Sequence, residues 1–268
     1  MASERKVTRA KKQVAGDVRK IKPKFEEERK SIAPIQAKND FQRKVLKALN
    51  NAQIVVLLAP AGVGKSLLTM GTASDWYVKG FVNKILITRP AVGMGKTLGL
   101  LKGDLASKFT PYLMPLIEVF IDRHGRGKYD TALNSGDLEM IPLEYIRGRN
   151  INDVCIMDEA QNSTKEEMFS IITRVTEKGR LFIIGDPTQN DLKQESGLVW
   201  LMDFVAKHNL QEHIEVITAT SDDIVRGGMC KSFVKAMERE SGSKTSAFAN
   251  LPIIYGDQGN IEQELGSL

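Results

Sequence analysis

Two patterns of apolar and polar positions run along this chain. The first is the short, unbroken apolar run: IVVLL at 54–58, KILIT at 84–88, DVCIM at 153–157, LFIIG at 181–185 and IEVIT at 214–218. Runs of this length without alternation suit strands covered on both faces, as in a parallel sheet between helices. The second is helical spacing. Phe41, Val45, Leu46 and Leu49 recur at helix intervals, and SLLTMGTASDWYVK (66–79) stays helix-compatible up to Gly80. An insertion at about 110–150 separates the second and third runs. It predicts one helix, YLMPLIEVFID, followed by a polar loop, RHGRGKYD. The gaps between most runs leave room for crossover helices, so the expected fold class is α/β with right-handed βαβ units.

Composition changes this picture little, but charge placement adds to it. Of 268 residues, 42% are hydrophobic and 26% charged, ordinary values for a globular chain. No apolar run is long enough to span a bilayer, and the N-terminus lacks a secretory h-region. The two cysteines, Cys155 and Cys230, read as reduced thiols of a cytoplasmic protein. Residues 1–30 hold eleven Lys/Arg and five Asp/Glu, so the net charge of +5 sits on a basic arm. That arm, 1–31, is expected to be flexible: a contact for nucleic-acid phosphates, or a solvated tail. Residues 32–240 form the expected domain, and 241–268 an irregular tail.

Two stretches end in Gly-Lys-Ser/Thr. A phosphate-binding loop needs a strand before it, glycines where side chains would intrude, and a helix after it. The stretch 59–66, Ala59-Pro60-Ala61-Gly62-Val63-Gly64-Lys65-Ser66, follows IVVLL and leads through Leu67 into a helical run. It meets every requirement. The other, Gly95-Lys96-Thr97, has Pro90 at its first position and glycines 99 and 103 breaking the segment behind it. It reads as a loop after the second strand, not as a second nucleotide site.

Further chemistry falls at the ends of the other apolar runs. Asp158 can hold Mg²⁺ beside Ser66, and Glu159 can orient and deprotonate an attacking water. Gln189, in GDPTQ, is either a sensor of the terminal phosphate or an ordinary turn glutamine. Gln42 is either an amide for the adenine edge or an exposed helical glutamine. Many small-molecule kinases that share the loop lack such a glutamate, so Glu159 argues against that class.

The set LAPAGVGKS, ITRPAV, LGLLKGDLASKFTPYLMPL, PLEYIRGRNINDVCIMDEAQNST, IIGDPTQNDL and DDIVR resembles the phosphate-starvation-inducible PhoH family over roughly 32–240. The resemblance implies a RecA-like P-loop NTPase domain, similar to the first half of superfamily 1 helicases. Its mostly parallel central sheet is flanked by helices. It also implies ATP and Mg²⁺ at Lys65, Ser66, Asp158 and Glu159, with Gln189 in a sensor motif. Single-stranded RNA or DNA would be met near Arg89. Lys96, Arg147 and Arg149 are further candidates, the last two being alternatively structural partners of Asp153 or Glu144. Family members usually carry a more acidic loop where Lys96 stands. About 80 residues follow Gln189, too few for a second RecA-like domain, so a homo-oligomer, as a hexameric ring, is expected to complete each site. Arg174 and Arg226 are the candidate fingers, or salt-bridge partners. With aromatics at 6%, no stacking platform for bases is evident. A nucleic-acid-coupled ATPase and a slowly hydrolysing regulatory or scaffold protein both remain open.

Overall fold

The computed structural model describes residues 33–91, 109–192 and 194–240. The basic arm, the tail from 241 and the loop with Lys96 lie outside the described residues.

Six strands form one sheet: β1 (Ile54–Leu58), β2 (Ile85–Arg89), β3 (Leu138–Pro142), β4 (Val154–Met157), β5 (Arg180–Gly185) and β6 (Ile214–Thr218). Their order is β3-β2-β4-β5-β1-β6, and every pairing is parallel. The five apolar runs thus become strands, as the pattern predicts. β3 is additional and lies inside the insertion. Its signal is weak because an edge strand needs only partial cover: Leu138 and Pro142 are buried, while Glu139, Met140 and Ile141 are half-buried. Its closing proline is tolerated at a sheet edge.

Alternate residues of each strand feed two cores. Val55, Leu57, Ile87, Ile156 and Phe182 face α1 (Asp40–Asn51), α2 (Lys65–Lys79), α3 (Met114–His124) and α4 (Arg126–Ser135). Val56, Leu58, Cys155, Met157 and Ile183 face α5 (Lys165–Ile172) and α6 (Gly197–Lys207). The last helix, α7 (Gly228–Glu240), leans on the first core through Cys230 and Val234.

The polar loop expected at 123–130 is instead the end of α3 and the start of α4. Gly125, at φ 82°, makes the turn between them. Tyr129 and Ala132 then bury one side of α4, with the Tyr129 ring 6.1 Å from Phe120. Two buried residues in ten suffice because the rest of α4 faces solvent, and this sparse pattern reads as loop.

α2 is buried along Leu68–Asp75 and ends at Gly80, whose φ of 77° suits a left-handed C-cap. Asp75 meets Arg123 at 2.6 Å and His124 at 3.3 Å, tying α2 to α3. Among the described residues, no helix is long and apolar enough to cross a membrane.

Candidate nucleotide site

In a parallel sheet, all strands end at one edge, and that edge carries the loops able to hold a ligand. Here β1, β5 and β4 are neighbours, so the segments after Leu58, Gly185 and Met157 converge. The Ala59 N–H donates to Gly185 O at 3.1 Å and fixes the start of the loop.

The loop curls through two left-handed glycines, Gly62 at φ 90° and Gly64 at φ 94°. Such angles suit only residues without a Cβ. Space is also short. A Cβ on Gly64 would stand 3.0 Å from Gln42 Nε2, and one on Gly62 would stand 3.2 Å from Arg226 and Cys230 atoms. Gly62 O accepts from the N–H groups of both Val225 and Arg226 at 3.1 Å. The chain after β6 therefore clamps the loop from outside.

Lys65 opens α2, and its ammonium folds back to donate to Ala59 O at 2.5 Å and Pro60 O at 2.8 Å. Burial lowers its pKa, against the opposing pull of Asp186, Asp158 and Glu159. Lys65 is thus held by two carbonyls at the mouth of the loop, within the field of three carboxylates.

Asp158 follows β4, held by its N–H donating to Thr88 O at 2.9 Å. Part of its surface stays open, yet it lies deep enough that burial pushes its pKa up to about 6. The charge of Glu159 adds to the rise, and Arg89 and Lys65 oppose it. Glu159 itself sits at φ 50°, ψ 41°, a left-handed conformation that costs a non-glycine residue about 1–2 kcal/mol. The backbone thereby turns sharply after the strand.

Gln161, two residues on, is fully buried and was not singled out from the sequence. Its Nε2 donates to Glu159 Oε2 at 2.5 Å and to Gln189 O at 3.3 Å, while its Oε1 accepts from Asp186 N–H at 3.0 Å. One side chain thus joins the end of β4 to the end of β5. The signal was present as the amide of DEAQ, but nothing local says that it points inward. Gln189 is exposed, and its amide donates to Asp186 Oδ2 at 2.7 Å. Asp186 also accepts from the Thr188 hydroxyl at 2.6 Å. A Cβ on Gly185 would lie 2.4 Å from Leu198 Cδ2 and 3.1 Å from Gln161 Oε1, so a larger residue must displace these side chains.

Gln42 is buried, which removes the exposed-glutamine alternative. Its Nε2 donates to Val63 O at 2.9 Å and its Oε1 accepts from Lys38 N–H at 2.8 Å. Both ends of the amide hold protein backbone, so Gln42 braces the loop.

The arginines scatter. Arg226 is exposed beside Gly62 of its own chain. Arg174 lies where its carbonyl accepts from Ile151 N–H at 2.8 Å, ahead of β4 and β5, at the opposite edge of the sheet; its Nε is buried without a hydrogen bond. Arg89 ends β2, donating to Tyr112 O at 3.2 Å with its guanidinium over the Tyr112 ring. Arg147 is exposed. Arg149 pairs with Glu139, which also meets Lys84 at 2.6 Å. Neither Asp153 nor Glu144 is its partner. Arg149, Glu139, Lys84 and Asp153 line a cleft of about 100 Å³ at the edge remote from the phosphate loop, so Arg149 stands apart from Arg89.

Sheet order, loop and acid pair define a P-loop NTPase fold of the RecA-like kind. More narrowly, the chain belongs to the PhoH-like protein family, whose model matches residues 34–238. It is 35% identical over 212 residues to the PhoH-like protein of Bacillus subtilis (strain 168), covering 77% of this chain and 65% of that one. Identity to Protein PhoH of Escherichia coli (strain K12) is 33% over 212 residues, covering 77% and 59%. The chain therefore spans less than two thirds of the length of these relatives. Among solved structures, the large terminase of a thermophilic bacteriophage superposes with a TM-score of 0.46 at 11% identity, covering 76% of this chain and 50% of that one.

Proposed function

We propose that the protein is a Mg²⁺-dependent ATPase that couples hydrolysis to single-stranded RNA or DNA. The observation that carries the ATPase reading is the convergence of Lys65, Asp158 and Glu159 at one sheet edge, with a buried amide joining Glu159 to the segment holding Gln189.

Residues 59–66 cradle the phosphates through backbone N–H groups, as glycine-rich loops at helix N-termini do. Lys65 exchanges its two carbonyl partners for phosphate oxygens. Ser66 and Asp158 would hold Mg²⁺. The donor set fits: a hydroxyl at the start of α2 and one carboxylate at the end of β4, within the field of Lys65, suit Mg²⁺, which characteristically takes one or two carboxylates plus phosphates and waters. When bound, the ion neutralises charge on the phosphate oxygens. Glu159 orients the attacking water and accepts its proton. Gln189 and Asp186 report the presence of the terminal phosphate to β4 through Gln161.

The proposal extends to a homo-oligomer, a hexameric ring. Arg226, exposed at the loop, and Arg174, at the opposite edge, are the candidates to reach a site across a subunit boundary. Gel filtration with light scattering, with ATP and Mg²⁺, tests this: a monomer of full activity removes the ring.

One observation favours the slower, regulatory reading. The Glu159 carboxylate commits Oε2 to Gln161, which fixes its orientation but leaves only Oε1 to meet a water. The deciding experiment is ATP hydrolysis with and without single-stranded RNA or DNA, beside Lys65→Ala and Glu159→Gln. Stimulation that both variants abolish supports the coupled ATPase. Hydrolysis indifferent to both polymers supports the regulator.

A further inference from the structure

The edge that carries the nucleotide site continues past β4 to β2 and β3. A single helical turn, Leu143–Ile146, follows β3 there. Leu143 and Ile146 are buried in the same core as Met168 and Ile171 of α5, so the turn and α5 share one apolar foundation. Between the two anchors, Tyr145 faces outward with 58% of its surface exposed. On α5, Phe169 is next to buried Met168 and is 55% exposed.

A single exposed aromatic residue needs no explanation. Three further observations set these apart. Neither ring has a hydrogen bond or ring contact among the described residues. Arg147, two residues beyond Tyr145, is exposed with no ion pair or hydrogen bond among those residues. The turn is also rigidly placed: Glu144 Oε1 accepts from Ala91 N–H at 3.1 Å, pinning it to the end of β2. Among the described residues, two rings and a cation without such partners thus stand on a fixed support. By strand spacing that support is about 10 Å from β4.

We propose that Tyr145, with Phe169 on the helix packed against its turn, is a stacking platform for the bases of a single-stranded nucleic acid, and that Arg147 meets its phosphates. This rests on the nucleic-acid reading above and deepens it by naming the surface. Every base offers a π-face, so such a platform is tolerant of sequence, and a cation beside it makes binding salt-dependent. The low aromatic content of the whole chain hid the platform because position matters here, not abundance. β2 links it to the nucleotide: Thr88 O holds Asp158 N–H, and the charge of Arg89 acts on Asp158.

Fluorescence anisotropy with labelled twenty-nucleotide oligo-dT and oligo-rU, at two salt concentrations, tests the assignment on the full chain. Tyr145→Ala is expected to weaken binding about 5- to 150-fold, the range for loss of one stacked base. Tyr145→Trp keeps the affinity, because the larger ring still stacks, and Arg147→Ala reduces the salt dependence. Phe81→Ala is the control: that ring is 74% exposed but lies between α2 and β2, at the other edge of the sheet, and its loss should change nothing. Thermal melts confirm that each variant folds. If wild type binds and both Tyr145→Ala and Phe169→Ala bind equally well, the polymer lies elsewhere and the platform is overturned, while the coupled ATPase stands. If wild type binds neither oligonucleotide, the nucleic-acid reading falls and takes the platform with it.

Discussion

Gln161 holds Glu159 by a 2.5 Å hydrogen bond, and does so from a fully buried position. The candidate general base is therefore not free; its orientation is set by an amide that also grips the end of β5. Replacing Gln161 with Glu preserves size and an acceptor for Asp186 N–H, but removes the donor and places a second charge beside Glu159. Steady-state kinetics should show kcat down by about 10- to 100-fold, since a displaced base forfeits much of the 10²–10⁴ that such catalysis supplies. ATP affinity should change by less than about threefold. In a Glu159→Gln background the same substitution should cost little more in rate. Additive losses would mean that Gln161 acts elsewhere.

Gly64 and Gly80 share a left-handed backbone but not their surroundings. Alanine at Gly80 meets nothing within 4 Å, so it carries only the backbone penalty, about 1–2 kcal/mol. Alanine at Gly64 carries that penalty and also presses on Gln42 Nε2. Both variants should melt lower than wild type. Only Gly64→Ala should lose ATP binding by calorimetry.

Gln42 makes a related prediction. Its amide braces Val63 and the bend at Lys38 that leads into α1, so Gln42→Ala should weaken ATP by about tenfold through a loosened loop, at a cost of about 1–3 kcal/mol for the orphaned buried carbonyl. If the amide instead reads the adenine edge, the same variant should lose its preference for ATP over GTP. Comparing the two nucleotides separates the roles.

Asp75 gives stability a dependence on pH. Burial raises its pKa, but hydrogen bonds from His124 and Arg123 outweigh that and leave it below the usual carboxylate value of 3.8. A depressed folded pKa means that the stabilisation is complete above pH ~4 and is lost as pH falls through the folded value. Asp75→Asn should cost about 2–4 kcal/mol near neutral pH, because Arg123 loses a largely buried partner. The gap between wild type and variant, followed by urea unfolding, should narrow below pH ~4.

The two thiols should differ in reactivity. Cys155 lies within β4, and complete burial pushes its pKa far up. Cys230, half-buried on α7, is the accessible one. A thiol reagent should modify one cysteine in the native protein and two in denaturant. Two rapid modifications in the native state would contradict the sheet order.

Much of this architecture is legible because its causes are local. A strand covered on both faces must be apolar throughout, so β1, β2, β4, β5 and β6 announce themselves. The phosphate loop is equally plain, since Gly62 and Gly64 are required by backbone geometry. Other features depend on what folds over a residue. β3 and α4 bury too few residues to leave a pattern. Arg149 looked like a companion of Arg147, but the chain turns back toward Glu139 within two residues. Gln161 and Gln42 look like any polar residue on a helix or turn, and only the packing of β5 and the phosphate loop shows that they are buried.

β1 pairs with no strand that precedes it. Ile54 is matched to Leu181 on one side and Ile214 on the other. During synthesis, the strand that leads into the phosphate loop must therefore wait for its first neighbour. At ~5–20 residues per second, that wait is about 6–25 seconds. Throughout it, IVVLL is an apolar strand with both edges open, the kind of segment that aggregates. The nucleotide site is thus encoded early and completed late, and the nascent chain needs its most hydrophobic stretch shielded until β5 arrives.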